Sequence, residues 1–232
     1  MKLNLKILII SIILISVSAC NNSKLTQDEI EERANKITEI INKDNISELK
    51  DWQFEYRGDG EIWSKLGETN RDFQAYYFKT EDSINMFILK RFLYSSDFPI
   101  QIFIDTSKFQ HNFLFTKYKD GNVNITATEI DGNEIIINDN LTMEEIFGER
   151  NPFEKLETLS ALKDRLNVYK IRSIKGGNFV EFIITSQDVL TYIPDKLEIE
   201  PMYEQFWLEN FSKGKSIKNN WNLRKLENPI SD

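Results

Sequence analysis

Apolar side chains between residues 26 and 44 recur at helical spacing, with Ile30, Ala34, Ile37, Ile40 and Ile41 on one stripe and charged residues elsewhere. Thr26 and Glu29 stand three apart as a capping box, and Leu25 and Ile30 occupy the positions of a hydrophobic staple. A helix is therefore expected to begin after Thr26 and to end near Asp44. Alternation replaces this spacing from Trp52 onward: Trp52, Phe54 and Tyr56 lead into a turn at Gly58-Asp59-Gly60. Residues 72–79 and 84–94, rich in Phe, Tyr and Ile, flank Glu81-Asp82-Ser83 and predict a hairpin. Ile100, Ile102 and Ile104 alternate after Pro99. Asp120-Gly121 and Asp131-Gly132 then separate runs at 111–119, 122–130 and 133–138. Such dipeptides adopt positive φ and favour two-residue hairpin turns, so the three runs predict a meander.

Helical spacing returns near Asp139. Thr142 and Glu145 form a second capping box, with Leu141 and Ile146 as its staple and Gly148 placed to end a short helix. Asn151-Pro152 opens another helix, with Asn as cap and Pro at the first position, and Phe153, Leu156, Leu159, Leu162 and Leu166 turn one face to a core. A hairpin over 168–174 and 178–185 is expected around Gly176-Gly177. Residues 201–212 predict an amphipathic helix with Met202 and Phe206 inward and Tyr203 beside them, and 215–226 adds a strand through Ile217, Trp221 and Leu223. The fold class is α+β: mainly antiparallel sheet, a β-meander with Asp-Gly hairpins, an N-terminal helix and two to three helices in the second half.

The first twenty residues follow neither pattern. Lys2 and Lys6 are followed by an uncharged run from Ile7 to Ala19. That run has the length of a signal-peptide apolar region and falls short of the roughly 20 residues a spanning helix needs. Val17, Ser18, Ala19 and Cys20 (an aliphatic residue, two small ones and a cysteine) resemble the lipobox of bacterial lipoproteins. The resemblance implies that 1–20 is a leader cut before Cys20, whose thiol receives a diacylglyceryl group and whose new amine is often acylated. Each buried methylene contributes about 0.8 kcal/mol and one chain holds only marginally, so two or three chains make a stable membrane tether. Asn21, rather than Asp, then implies the outer membrane if the cell has two membranes, and the outer face of the plasma membrane otherwise. Either address is the cell envelope. Residues 21–26 are a tether reaching roughly 20 Å when extended. Beyond it, 27–138 reads as the helix-plus-meander half and 139–232 as an α+β half packed with it as one globular unit. In layout this body resembles the β-rich, aromatic-rich lipoproteins of Bacteroidota, a likeness that covers signal and arrangement and carries no functional residues over.

Composition narrows the partners. With 41% hydrophobic and 28% charged residues over 232 positions, the chain has the balance of a folded protein. The formal charge is −8. Removing Lys2 and Lys6 with the leader takes the body to about −10, which repels phosphates, so nucleic acid is not an expected partner. Cys20 is the one cysteine, which excludes a disulfide within the mature chain and a cysteine-based zinc cluster.

Little chemistry is written in the motifs. His111 is the only histidine, no Gly-x-Ser-x-Gly elbow accompanies it, and HExxH, Gly-rich phosphate loops and dinucleotide fingerprints are missing, so no cofactor is expected. Asp120, Asn122 and Asn124 alternate, with Asp131, Asn133 and Glu134 nearby, in a pattern of oxygen ligands for calcium; tight hairpin turns account for them without a metal. Asp59 and Glu61 beside Trp63, and Asp105, are the candidates for paired carboxylates of a glycoside hydrolase, about 5–9 Å apart. A solvated turn or strand edge is the readier explanation of each. Phe73, Tyr76, Tyr77 and Phe78, and Tyr203, Phe206, Trp207 and Phe211, are two candidate ligand faces, though at strand and helix spacing they read mostly as core. Tyr203 and Trp207 are four apart on one helix face and are the candidate partner-binding pair. The expectation is a non-enzymatic envelope lipoprotein that binds a protein partner, in one version an immunity-type inhibitor. The alternative is a carboxylate-dependent hydrolase of envelope glycans or peptides.

Overall fold

The computed structural model describes residues 25–41, 43–66, 71–88, 112–128, 134–174, 179–194 and 199–230. The leader with Cys20, residues 89–111 and the turns at Asp131-Gly132 and Gly176-Gly177 lie outside the described residues. The chain divides into two units, Met1–Glu32 and Arg33–Asp232, and the division falls inside the first helix, α1 (Gln27–Ile40). In the first unit the start of α1 carries the expected capping box: Thr26 N–H donates to Glu29 Oε2 at 2.7 Å and Glu29 N–H to Thr26 Oγ1 at 3.3 Å.

In the second unit α1 buries Ala34, Ile37 and Ile41 and stops earlier than its apolar stripe suggests. The last helical bond runs from Ile41 N–H to the Ile37 carbonyl, and a separate short helix α2 (Lys43–Leu49) follows and buries Leu49. Among the described residues twelve strands then form one antiparallel sheet: β1 (Trp52–Arg57), β2 (Gly60–Leu66), β3 (Arg71–Lys79), β4 (Ser83–Ile88), β5 (Asn112–Tyr118), β6 (Val123–Thr128), β7 (Glu134–Leu141), β8 (Lys170–Ser173), β9 (Val180–Ile183), β10 (Asp188–Tyr192), β11 (Lys215–Lys218) and β12 (Trp221–Lys225). Three helices interrupt them: α3 (Met143–Phe147), α4 (Pro152–Leu166) and α5 (Pro201–Ser212). The fold is thus α+β with a dominant antiparallel sheet.

The sheet order is β11-β12-β10-β9-β8-β1-β2-β3-β4-β5-β6-β7. β1 to β7 run outward from the middle as a meander, and the chain returns through α4 to lay β8 on the free edge of β1, pairing Phe54 with Ile171. Local turn chemistry fixes the meander. Arg57 pairs with Gly60, leaving a two-residue turn with Gly58 at φ 57°, and Gly121 at φ 89° closes β5 on β6. The segment 215–226, expected as one strand, is a hairpin of β11 and β12 turning at Asn220, whose φ is 69°.

Side chains alternate between the two faces of the sheet. One face carries Phe54, Trp63, Ala75, Tyr77, Met86, Phe113, Phe115 and Ile125, all buried, and continues through Ile171, Phe182, Leu190 and Leu223. Phe147 of α3 and the apolar stripe of α4, namely Phe153, Leu156, Leu159, Leu162 and Leu166, are buried with it. Each such residue contributes roughly 1.5–3 kcal/mol by leaving water. Asn151 caps α4 through Phe153 N–H at 3.0 Å, and Asn167 ends it in the left-handed region. The opposite face is covered at the β9–β12 end by α5. This explains why β9, β10 and β12 are buried at successive positions and not at alternate ones.

Candidate functional site

Three clusters hold the chemistry-bearing side chains of the described residues. The first lies where α4 crosses β1 and β2. Glu61 Oε2 accepts from Trp63 Nε1–H at 2.7 Å, while its Oε1 accepts from Lys163 Nζ at 2.7 Å and from Ser160 Oγ at 3.1 Å. Lys163 also pairs with Asp164 at 2.6 Å and sits 5.4 Å from the Phe54 ring and 5.1 Å from the Tyr56 ring. Burial pushes its pKa down, yet the hydrogen bonds to Asp164 and Glu61 outweigh that effect and hold it above the ordinary lysine value. Glu61 therefore has both oxygens engaged, and its expected companion Asp59 is exposed in the β1–β2 turn. Tyr77 lies in the same layer, its hydroxyl buried without a hydrogen-bond partner among the described residues. Burial first, and then the nearby Glu157, Glu61 and Asp164 charges, raise its pKa.

The second cluster sits on the other face, beneath α5. Glu181 of β9 is fully buried between two arginines. Arg172 Nε donates to its Oε2 at 2.8 Å and Nη2 at 2.5 Å, and Arg224 Nη2 donates to Oε1. Arg224 lies 5.9 Å from the Trp207 ring. Thr191 Oγ1, Asn222 Oδ1 and Arg224 Nε are buried here without partners among the described residues. Neither Glu181 nor Lys163 was singled out from sequence. The available signal was a charged residue inside an otherwise apolar run, in Val180-Glu181-Phe182-Ile183 and in the Leu159–Leu166 stripe.

The third feature is α5 itself, and its orientation reverses expectation. Trp207 and Phe211 face the sheet, with ring centroids 4.8 Å and 5.3 Å from the buried Phe179. Asn222 Nδ2 donates to the Phe211 carbonyl at 3.0 Å, and Gly214 gives that side chain room, since a Cβ there would overlap it. Met202 and Phe206, expected inward, are 77% and 58% exposed, with Tyr203 at 46% and Leu208 at 50%. The cause is Phe179, which takes the 207/211 ridge and leaves the Met202–Tyr203–Phe206 face outward. Of the candidate pair, Tyr203 is thus on the exposed side, whereas Trp207 is half-buried against Phe179.

The calcium-like turn closes on itself. Asp120 Oδ1 accepts from Asn122 N–H at 2.9 Å and Oδ2 from Asn122 Nδ2 at 2.7 Å. Asp131, Asn133, Asp105, His111 and the lipobox residues Val17, Ser18, Ala19 and Cys20 lie outside the described residues. Among the described residues no group of three His, Cys, Asp or Glu side chains could hold a metal ion, and no helix is long and apolar enough to cross a membrane. No family model, no curated protein and no solved structure matches the chain.

Proposed function

We propose that this chain is a non-enzymatic binding protein of the cell envelope, held on a membrane by lipid on Cys20, and that it engages a protein partner through α5. The observation that carries the reading is the row of large apolar side chains, Met202, Tyr203 and Phe206, turned to solvent on a helix that is pinned at its C-terminal end. Such side chains are costly to leave in water and are the residue types that anchor interfaces. The acidic body would speed encounter with a basic partner, as an immunity-type inhibitor requires. The carboxylates near the sheet also fit a binding role: Glu61 and Glu181 are both consumed by cations.

A photo-crosslinking residue placed at position 203, in native membranes, tests this. One adduct of discrete mass is expected, and Phe206→Glu should remove it. The same adduct from a crosslinker at position 120, on the far β5–β6 turn, would contradict the assignment, as would no adduct at 203.

A further inference from the structure

A cavity of about 400 Å³ opens on the face of the sheet turned away from α4, lined by Arg57, Gly58, Ile62, Gln74, Tyr76 and Phe87. We propose that it is a binding site for a small amphiphile with an anionic head, of the class of medium-chain alkyl carboxylates. The site is separate from α5, and the inference does not depend on the function proposed above.

The argument starts from register. Ile62 of β2 pairs with Tyr76 of β3, and Tyr76 with Phe87 of β4, so three apolar side chains stand in one row across three strands. Two strand spacings make that row about 10 Å long. All three are half-buried, in contrast to Trp63, Ala75 and Met86 on the opposite face, which are fully buried. The Tyr76 ring is held flat over Gly60, where any Cβ would overlap it, and it leans on Phe78 with centroids 5.3 Å apart. A glycine in β2 thus seats the aromatic wall low on the sheet, and among the described residues the space above it is open.

The charged lining residue sits at one end. Arg57, at the β1–β2 turn, makes no ion pair among the described residues. Gln74 lies along the side, its Nε2 donating to Ser64 Oγ at 3.0 Å. A cation at one end of an apolar row matches a ligand with a charged head and a tail. Two other cavities among the described residues lack this polarity. One, near 470 Å³, is walled by Lys65, Glu149, Arg150, Glu154 and Lys155, which mix both charges. The other, near 280 Å³, lies among the lysines and acids of the β3–β4 turn. The cavity at Arg57 joins an apolar floor to a single sign of charge, the arrangement that orients a small ligand.

The test is calorimetric titration of the full-length protein in phosphatidylcholine nanodiscs with hexanoate, octanoate and decanoate, using empty nanodiscs as the blank. One saturable site is expected, its Kd falling about fourfold for each added methylene until the row is filled. Arg57→Gln should weaken octanoate about two- to fivefold while leaving octanol unchanged. Ile62→Trp, which fills the cavity, should abolish both. Absence of heat above the blank would overturn the proposal. So would equal affinity for octanol and octanoate, or undiminished binding by a folded Ile62→Trp protein. Arg57 is exposed at a turn, so its variant reports on the site even if Ile62→Trp fails to fold.

Discussion

Replacing Glu181 by glutamine would keep the shape of the side chain and remove the negative charge that bridges two guanidinium groups. Those groups differ in what they can do next. The Arg172 side chain is 33% exposed and can recover water, whereas Arg224 is 3% exposed and sealed under α5 by Trp207. Stranding one partner of a buried ion pair costs about 3–5 kcal/mol, most of it here on Arg224. A typical domain has only about 5–15 kcal/mol of stability in total, so the loss is a large share. At roughly 2–4 °C per kcal/mol for a domain of this size, Tm should fall by about 6–20 °C. Equilibrium denaturation followed by tryptophan fluorescence measures it, because Trp207 lies beside Arg224. A double variant, Glu181→Leu with Arg224→Met, exchanges the pair for apolar volume and should recover most of the loss. If Glu181→Gln stays within about 1 kcal/mol of the parent, the pair is hydrated and the covering role of α5 is refuted.

Tyr77→Phe removes a buried hydroxyl that has no partner among the described residues, so stability should rise by up to about 1 kcal/mol; a loss above 1 kcal/mol in urea would show a hidden partner. The pKa of Lys163 is raised in the folded state, so its contribution is complete below the unfolded lysine value of about 10.4 and is lost as pH rises through the higher folded value. The stability gap between the parent and Lys163→Met should therefore be flat from neutral pH up to that point, and a gap that already shrinks near pH 8 would contradict the ion pair with Glu61. A chelator should leave Tm unaltered, since both Asp120 oxygens are taken by Asn122; a clear fall would restore calcium to the β5–β6 turn.

What could be read from sequence was local. The capping box of Thr142 and Glu145, the Asn151-Pro152 start of α4 and the Asp120-Gly121 turn each depend on residues within four positions, and each is found in place. Non-local decisions were out of reach. β10 carries no strand signal in the sequence, because Asp188-Val189-Leu190-Thr191 is covered on both faces and shows no alternation. The direction of α5 is not legible in the sequence, because Met202, Phe206, Trp207, Leu208 and Phe211 surround the helix with apolar groups and the distant Phe179 decides which side turns inward. Glu181 gave no sign of its partners, since Arg172 and Arg224 reach it from two other strands. The cavity at Arg57 likewise exists only once β2, β3 and β4 are in register.

The proposed anchoring stands on Val17, Ser18, Ala19 and Cys20, and the intact mass of protein extracted from its native membrane tests it most directly. The predicted result is a chain that begins at residue 20, with a diacylglyceryl thioether on that sulfur and a further acyl group on its amine. A species that retains Met1 and carries an unmodified thiol would contradict it.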